Sequence, residues 1–230
     1  MDRRTVVVVP CYNEASRLRP EAFREAVRGR DGLHLLFVND GSTDGTAALL
    51  AELCAGSEGR VSVLNLDRNG GKAEAVRQGM RRAGEWKPRF VGFWDADLAT
   101  PLADAAVFEA LLQRNDRLFA VFGARVKLLG RHIRRNEQRH YLERVFATFV
   151  SVILQTPAYD TQCGAKLFRG GAVLDAILEA PFLSPWIFDV EILARLRQLH
   201  RAGDVPPIDQ LIYEHPLMHW EDVGGSKLRR

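Results

Sequence analysis

The stretch FVGFWDADLATP, residues 90–101, gives the clearest indication of how this chain folds. Its apolar run from Phe90 to Trp94 is typical of a buried strand, and the run ends abruptly in two carboxylates, Asp95 and Asp97. In open α/β sheets, ligands bind outside the carboxyl ends of the strands. The two aspartates are therefore either solvated loop residues or part of a site, and the surrounding sequence bears on that choice.

Three similar units precede this stretch, and together they predict a mostly parallel sheet flanked by helices, because strand and helix patterns alternate. We predict strands at 5–9, 33–38, 60–66 and 89–94 and helices at 20–29, 45–55 and 71–83. The second half is less regular. There we predict helices at 102–114, 136–155, 170–180 and 187–201 and strands at 118–123 and 207–213.

The composition is that of a globular protein, and it excludes several classes. The chain has 230 residues, of which 47% are hydrophobic, and its net charge of +3 implies no polyelectrolyte partner. Its three cysteines include no CxxC pair, so we expect neither a disulfide framework nor a zinc ribbon, and a reducing, cytoplasmic location. The apolar run at 145–154 is shorter than the ~18 residues of a membrane span.

A polar loop follows each of the first four predicted strands, and the second and third of these loops also contain glycine. The four loops are PCYNEAS (10–16), NDGSTDGT (39–46), DRNGGKAEA (67–75) and DADLATP (95–101). Any one of them could be only a turn or a helix cap. Because the carboxyl ends of parallel strands share one edge of a sheet, four such loops in register predict a ligand site.

The side chains of these loops fit a nucleotide carrying phosphates. Asp40 can accept a hydrogen bond from a nucleobase N–H, and Asn13 and Glu14 can hold a base or ribose. Lys72, beside two glycines at a helix start, can meet a phosphate or a base. The predicted nucleotide-sugar-binding residues are Pro10, Tyr12, Asn13, Glu14, Asp40, Ser42, Lys72, Asp95, Ala96 and Asp97.

Asp95 and Asp97 are the predicted metal ligands. Carboxylate oxygens suit Mg²⁺ or Mn²⁺, which bind through one or two carboxylates together with substrate phosphates. Because carboxylates and a diphosphate repel each other, we expect these two side chains to hold a cation that faces the diphosphate.

The four loop motifs resemble those of family 2 glycosyltransferases with the GT-A fold. In the second half, GARVKLLGRHIRRN (123–136), DTQCGAKLF (160–168), WIFDVEIL (186–193) and HWEDVGGSKL (219–228) are similar to dolichyl-phosphate β-glucosyltransferases and bacterial polyprenyl-phosphate relatives. The resemblance implies a single GT-A catalytic domain over 1–230. Residues 1–98 would then bind the nucleotide sugar, and 99–230 the acceptor.

A basic segment in the second half fits a phosphate acceptor. Residues 125–144 contain seven basic and two acidic side chains, namely Arg125, Lys127, Arg131, Arg134, Arg135, Arg139 and Arg144 against Glu137 and Glu143. A phosphate monoester is already anionic at neutral pH, its second pKa being ~6, so it needs cations more than a base. With the apolar run 145–154, the segment predicts peripheral contact with an anionic membrane. The alternative is a solvated basic helix followed by a core helix.

The remaining acidic candidates are Asp160 and Asp189. By resemblance, Asp160 has a base-like or acceptor-positioning role, whereas Asp189 lies where many family 2 enzymes place their base. Asp189 could instead be a helix N-terminal charge. The predicted catalytic residues are Asp160, Asp189, Arg125 and Arg131, and the predicted acceptor-phosphate residues are Arg125, Lys127, Arg131, Gln162 and Lys166.

The resemblance implies an inverting transfer of glucose from UDP-glucose to a polyprenyl phosphate, and the two aspartates and the basic segment fit the metal and the phosphate acceptor of such a reaction. Three alternatives stay open: GDP-mannose as donor, a soluble hydroxyl acceptor, and a non-catalytic nucleotide-binding or membrane-adaptor module. We expect no nucleic-acid partner, because the basic segment lacks the interleaved aromatic residues of single-strand binders. The sequence assigns no oligomeric state.

Overall fold

The computed structural model describes residues 4–134 and 158–223, which form an α/β structure around a seven-stranded sheet. The strands are β1 Thr5–Cys11, β2 Leu33–Asp40, β3 Val61–Leu66, β4 Phe90–Trp94, β5 Ala120–Ala124, β6 His132–Arg134, β7 Ala165–Arg169, β8 Ile212–Pro216 and β9 His219–Glu221. The large sheet has the order β3-β2-β1-β4-β7-β5-β8, and β6 and β9 form a separate parallel pair.

Helices cover both faces of the large sheet. They are α1 Pro20–Arg28, α2 Thr46–Ala55, α3 Lys72–Gly84, α4 Asp104–Arg114, α5 Ala172–Leu178, α6 Phe188–Ala202 and α7 Ile208–Leu211. One hydrophobic cluster packs α3, α5, α6 and α7 on one face, and a second packs α1, α2 and α4 on the other. Because both faces are covered, the central strands β1 and β4 are apolar along almost their whole length.

The α/β prediction is confirmed, and the strands and helices of the first half lie where the alternating pattern places them. One prediction for the second half is partly wrong. Residues 207–213 were expected to form a strand, but α7 occupies Ile208–Leu211 and β8 begins only at Ile212. Ile208 and Leu211 are both buried, and their spacing is that of one face of a helix.

Several predicted features lie outside the described residues. These are the helix at 136–155 with its apolar run 145–154, the arginines Arg135, Arg139 and Arg144, and residues 224–228 of the motif HWEDVGGSKL. Within the described ranges, no helix is long and apolar enough to cross a bilayer.

Strand β7 was not predicted, and its direction shapes the site. It runs antiparallel between β4 and β5, with Trp94 paired to Ala165. The start of β7 therefore meets the carboxyl end of β4. As a result the segment before β7, residues 158–164, lies at the same edge of the sheet as Asp95, and Asp95 N–H donates to Gly164 O at 3.0 Å.

Candidate active site

The loops that follow β1 and β2 are joined by hydrogen bonds. Asn13 has a φ of 52°, in the left-handed region that asparagine tolerates better than most residues. Its N–H donates to Ser42 Oγ at 3.0 Å, and its Oδ1 accepts from Thr43 N–H at 2.8 Å. The two loops thus form one rigid wall, to which the half-buried Pro10 and Tyr12 also belong.

Glu14, in the same wall, has an internal partner. Arg17 donates to both of its carboxylate oxygens, at 2.9 and 2.7 Å, and the Glu14 N–H donates to Thr46 Oγ1 at 2.7 Å. Glu14 is buried. The geometry gives it a structural role, and its contact with a base or ribose stays a prediction.

Asp40, at the end of β2, is buried and holds the glycine loop before α3. Its two carboxylate oxygens accept from the N–H groups of Gly70 and Gly71, at 2.8 and 3.0 Å. Burial raises the pKa of Asp40, although these two hydrogen bonds oppose the rise. Because Lys72 directly follows Gly71, Asp40 also helps to set the position of Lys72. The contact of Asp40 with a nucleobase stays a prediction.

We expect Asp40→Asn to weaken nucleotide-sugar binding several-fold, because an asparagine can accept only one of these two bonds and turns its amide NH₂ toward the other backbone N–H, although Gly71 N–H keeps its bond to Asn69 Oδ1 at 3.0 Å. Calorimetric titration with UDP measures the effect. The matched control is Asp67→Asn in the same loop, since Asp67 is exposed. Equal affinities for the two variants would show that Asp40 does not govern this loop.

Lys72 and Asp95 form an ion pair at the edge of the sheet where the parallel strands have their carboxyl ends. Lys72 Nζ lies 2.5 Å from Asp95 Oδ1, and both side chains are partly exposed. Burial lowers the pKa of Lys72, but the carboxylates of Asp95 and Asp189 outweigh burial, so that the pKa lies above its usual value. Lys72 therefore stays protonated and positively charged beside the carboxylates.

Asp97 completes the pair of carboxylates. Burial raises its pKa, and the neighbouring charge of Asp95 raises it further. Its Oδ1 accepts from Ala99 N–H at 3.0 Å, which orients the side chain. The two carboxylates repel each other, and a divalent cation between them would relieve that repulsion. In residues 4–134 and 158–223, however, no cluster of three or more His, Cys, Asp or Glu side chains could hold a metal ion. Substrate oxygens would have to complete the coordination.

Gly164 packs directly against the Asp95 carboxylate. A Cβ atom added at Gly164 would overlap the Oδ2 and Cγ atoms of Asp95, so glycine is needed here for close approach. Nothing in the sequence alone shows this contact, since the two residues are far apart along the chain.

Gly164→Ala should therefore lower the transfer rate at least about tenfold, because Asp95 must turn away from its position beside Lys72. Steady-state kinetics together with a thermal melt test this prediction. Gly56→Ala is the control, since a Cβ there meets no atom closer than 3.5 Å. A fully active Gly164→Ala would mean that the observed position of Asp95 is not the working one.

Asp160 is engaged by Arg125 in a buried pair. Arg125 Nε and Nη2 each lie 2.7 Å from a different oxygen of Asp160, and the Arg125 backbone N–H donates to Asp160 at 2.9 Å. The guanidinium lies 5.2 Å from the ring centroid of Trp220. Glu214, which sequence reasoning missed, accepts from the backbone N–H groups of Tyr159 and Asp160. The ion pair of Arg125 with Asp160 and the bonds to Glu214 thus fix the segment before β7.

Lys166 and Asp189 form a second buried pair. Lys166 is fully buried; its Nζ lies 2.6 Å from Asp189 Oδ1 and donates to the carbonyl oxygens of Thr161 and Cys163. Asp189 lies in the first turn of α6. Burial raises its pKa, whereas Lys166 and Lys72 oppose the rise. Asp189 is therefore coupled electrostatically to Lys72 at the centre of the edge.

The other predicted acceptor residues are more scattered. Lys127 is exposed in the loop after β5, and Arg131 Nη1 donates to Pro216 O at 2.9 Å. Gln162 Nε2 is buried and has no hydrogen-bond partner among the residues that the structure describes. The structure thus brings Lys72, Asp95 and Asp189 together, and the predicted roles of Lys127, Arg131 and Gln162 are untested.

A cavity of about 1350 Å³ adjoins Asp97. Its walls come from α1, from the segment between Asp97 and α4, and from β6 and β9. Its lining includes four arginines, Arg17, Arg19, Arg30 and Arg134, and four carboxylates, Glu25, Asp97, Glu221 and Asp222.

Comparisons with known proteins identify the family of this chain. The family model described as "Glycosyl transferase family 2" matches residues 6–174. The chain is 30% identical to the dolichyl-phosphate β-glucosyltransferase of Drosophila melanogaster over 240 residues, which cover 96% of this chain and 68% of that protein. The enzyme of the same name from Dictyostelium discoideum is 29% identical, with the same coverage.

Two solved structures share the fold at low sequence identity. Glucosyl-3-phosphoglycerate synthase from Mycobacterium tuberculosis, in complex with Mn²⁺, UDP and glucosyl-3-phosphoglycerate, matches with a TM-score of 0.64 and 16% identity, over 96% of this chain and 73% of that one. A mannosyltransferase from Pyrobaculum calidifontis, with GDP-Man and Mn²⁺, matches with a TM-score of 0.58 and 17% identity, over 98% and 58%. Both confirm the GT-A fold. With the family model covering most of the chain, this protein belongs to glycosyl transferase family 2.

Proposed function

We propose that the protein transfers glucose from UDP-glucose to a polyprenyl phosphate, with inversion at the anomeric carbon and with Mg²⁺ or Mn²⁺ as cofactor. The observation that carries the proposal is the position of Lys72 between the carboxylates of Asp95 and Asp189, with Asp97 beside Asp95, which links the loops of the first half to the second half of the chain. The dolichyl-phosphate β-glucosyltransferases that it resembles over 96% of its length support this choice of donor and acceptor.

On the donor side, the joined loops after β1 and β2 would hold the nucleoside. Lys72, kept positive by its carboxylate neighbours, would face the phosphates from the start of α3, where backbone N–H groups also favour an anion. Asp95 and Asp97 would hold the divalent cation, which when bound supplies Lewis-acid stabilisation of the departing diphosphate. Asp40 would keep the glycine loop, and thus Lys72, in place.

On the acceptor side, the structure distinguishes the two aspartates. Arg125 engages both carboxylate oxygens of Asp160, whereas Lys166 approaches only Oδ1 of Asp189. We therefore assign the role beside the reacting atoms to Asp189 and an orienting role to Asp160. A phosphate acceptor is already ionised at neutral pH. Asp160 would then help to orient the acceptor, and Asp189 would hold any residual proton of its phosphate.

The experiment that tests this function measures release of nucleoside diphosphate. The protein is incubated with UDP-glucose or GDP-mannose, with Mn²⁺ or Mg²⁺, and with or without a polyprenyl phosphate in detergent. We expect UDP release that requires both the lipid phosphate and the metal.

Other outcomes would correct specific parts of the proposal. Release of GDP instead of UDP would replace the donor and keep the acceptor. UDP release that a soluble sugar stimulates and the lipid phosphate does not would replace the acceptor. Binding of UDP without turnover, whatever the acceptor and metal, would contradict the catalytic proposal.

A further inference from the structure

Exposed large apolar side chains concentrate at the carboxyl edge of the sheet. Of those in the described ranges, six lie in loops at this edge and only Val107 and Tyr213 lie elsewhere; the six are Leu128, Leu129, Leu183, Trp186, Ile187 and Met218. This is the edge that carries Lys72 and Asp95. Apolar side chains held in water at one end of a molecule mark a surface that meets another phase or partner.

The first of these loops is an ordered turn with a leucine at its apex. Arg131 N–H donates to Leu128 O at 3.1 Å, and Gly130 has a φ of 79°, as a type II turn requires. Leu129, between them, has a relative exposure of 105%. The hydrogen bond of the turn holds the backbone of Leu129 at the apex, away from the core.

The second loop precedes α6 and is likewise fixed by its backbone. Pro185 O accepts from Ala73 N–H at 3.2 Å, at the start of α3, and Leu183 N–H donates to Glu191 Oε2 at 2.8 Å. Leu183 is nevertheless 93% exposed. The bond to Ala73 places this loop directly beside Lys72.

The charge around the first loop selects the partner. Of the four basic side chains in residues 125–134, Arg125 is buried against Asp160, and Arg134 lies 3.4 Å from Glu221. Lys127 is exposed next to the leucine turn, and Arg131 donates to the Pro216 carbonyl oxygen, so these two leave the loop with a net positive charge. Leucine and tryptophan beside cations are the combination found where a protein lies on an anionic lipid surface.

We propose that Leu128, Leu129, Leu183, Trp186, Ile187 and Met218 form a lipid-docking surface that enters the interface of an anionic phospholipid bilayer. This inference deepens the proposed function and rests on it for the lipid phosphate acceptor. The surface brings the edge that carries Lys72 and Asp95 to the bilayer, where the phosphate of a membrane-embedded acceptor lies. None of its six residues belongs to the apolar run 145–154.

The test is co-sedimentation of the full chain with vesicles of phosphatidylcholine, with and without phosphatidylglycerol, and without any donor. We expect binding that phosphatidylglycerol strengthens and that the double variant Leu129→Ser/Leu183→Ser weakens by at least about tenfold, because two leucine side chains then no longer enter the bilayer interface. Val107→Ser is the control, since Val107 is exposed on α4, away from this edge, and none of these exchanges changes the charge. Circular dichroism melts check that all three proteins are folded.

Two outcomes would overturn the proposal. One is vesicle binding by the double variant that equals that of the Val107→Ser control. The other is a wild-type dimer in vesicle-free solution that the double variant converts to monomers, which would make a second copy of the chain the occupant. Because the assay needs no turnover, its result is independent of UDP release, and failure of one proposal can be told from failure of the other.

Discussion

Asp97→Asn is expected to lower the rate of nucleoside-diphosphate release about 10²–10³-fold, the loss typical when one group that compensates developing charge is removed. Asparagine has nearly the same shape, and its Oδ1 can still accept from the Ala99 N–H, so the turn after β4 should persist. What disappears is the negative charge that, with Asp95, suits this site to a divalent cation. The rate is measured with saturating donor at several Mn²⁺ concentrations.

The control for this variant is Asp31→Asn. Asp31 is an exposed aspartate in the turn before β2, at the opposite edge of the sheet, and its replacement should leave the rate unchanged. A second check is the metal dependence itself: Asp97→Asn should need more Mn²⁺ for half-maximal rate. If the rates for Asp97→Asn and Asp31→Asn agree within about twofold, Asp97 is not a metal ligand.

Lys166→Met is expected to lower the free energy of unfolding by roughly 3–5 kcal/mol, because it leaves the buried carboxylate of Asp189 without its cation. Urea denaturation measures the loss. Adding Asp189→Asn should restore part of the stability, since the uncompensated charge is then gone. Lys87→Met, at an exposed lysine, should change stability by less than about 0.5 kcal/mol.

The same variant has a signature in the pH dependence that a purely structural lysine would lack. Burial raises the pKa of Asp189 and Lys166 opposes that rise, so removing Lys166 should raise this pKa further. An acid with a higher pKa takes up its proton at a higher pH. The acid limb of the rate profile should therefore move to higher pH, and the stability deficit should shrink as the pH falls. An unmoved limb would show that Lys166 does not control Asp189.

The sequence predicts most of the first half because its signals are local. The alternation of β-branched runs with helix patterns locates β1 to β4, and the polar loops after these strands identify the edge that carries the site. Such patterns depend only on neighbours along the chain, so they can be read without knowing the fold.

What the sequence does not reveal depends on contacts between distant residues. The contact of Gly164 with Asp95 arises only because β7 runs antiparallel beside β4. Lys166 illustrates the same limit. Its charge suggested a phosphate contact, but a lysine on a strand faces either substrate or core according to the register, and here it is fully buried against Asp189.

The position of β7 has a consequence for any attempt to divide this protein or to exchange its parts with a relative. A cut at residue 98 would separate β4 from β7, whose pairing joins the two halves in one continuous sheet. The amino-terminal fragment would expose an unpaired apolar edge at Phe90–Trp94, which is a template for aggregation. A chimaera with a new acceptor specificity should therefore keep β4 and β7 from the same parent and exchange only the loops at the carboxyl edge.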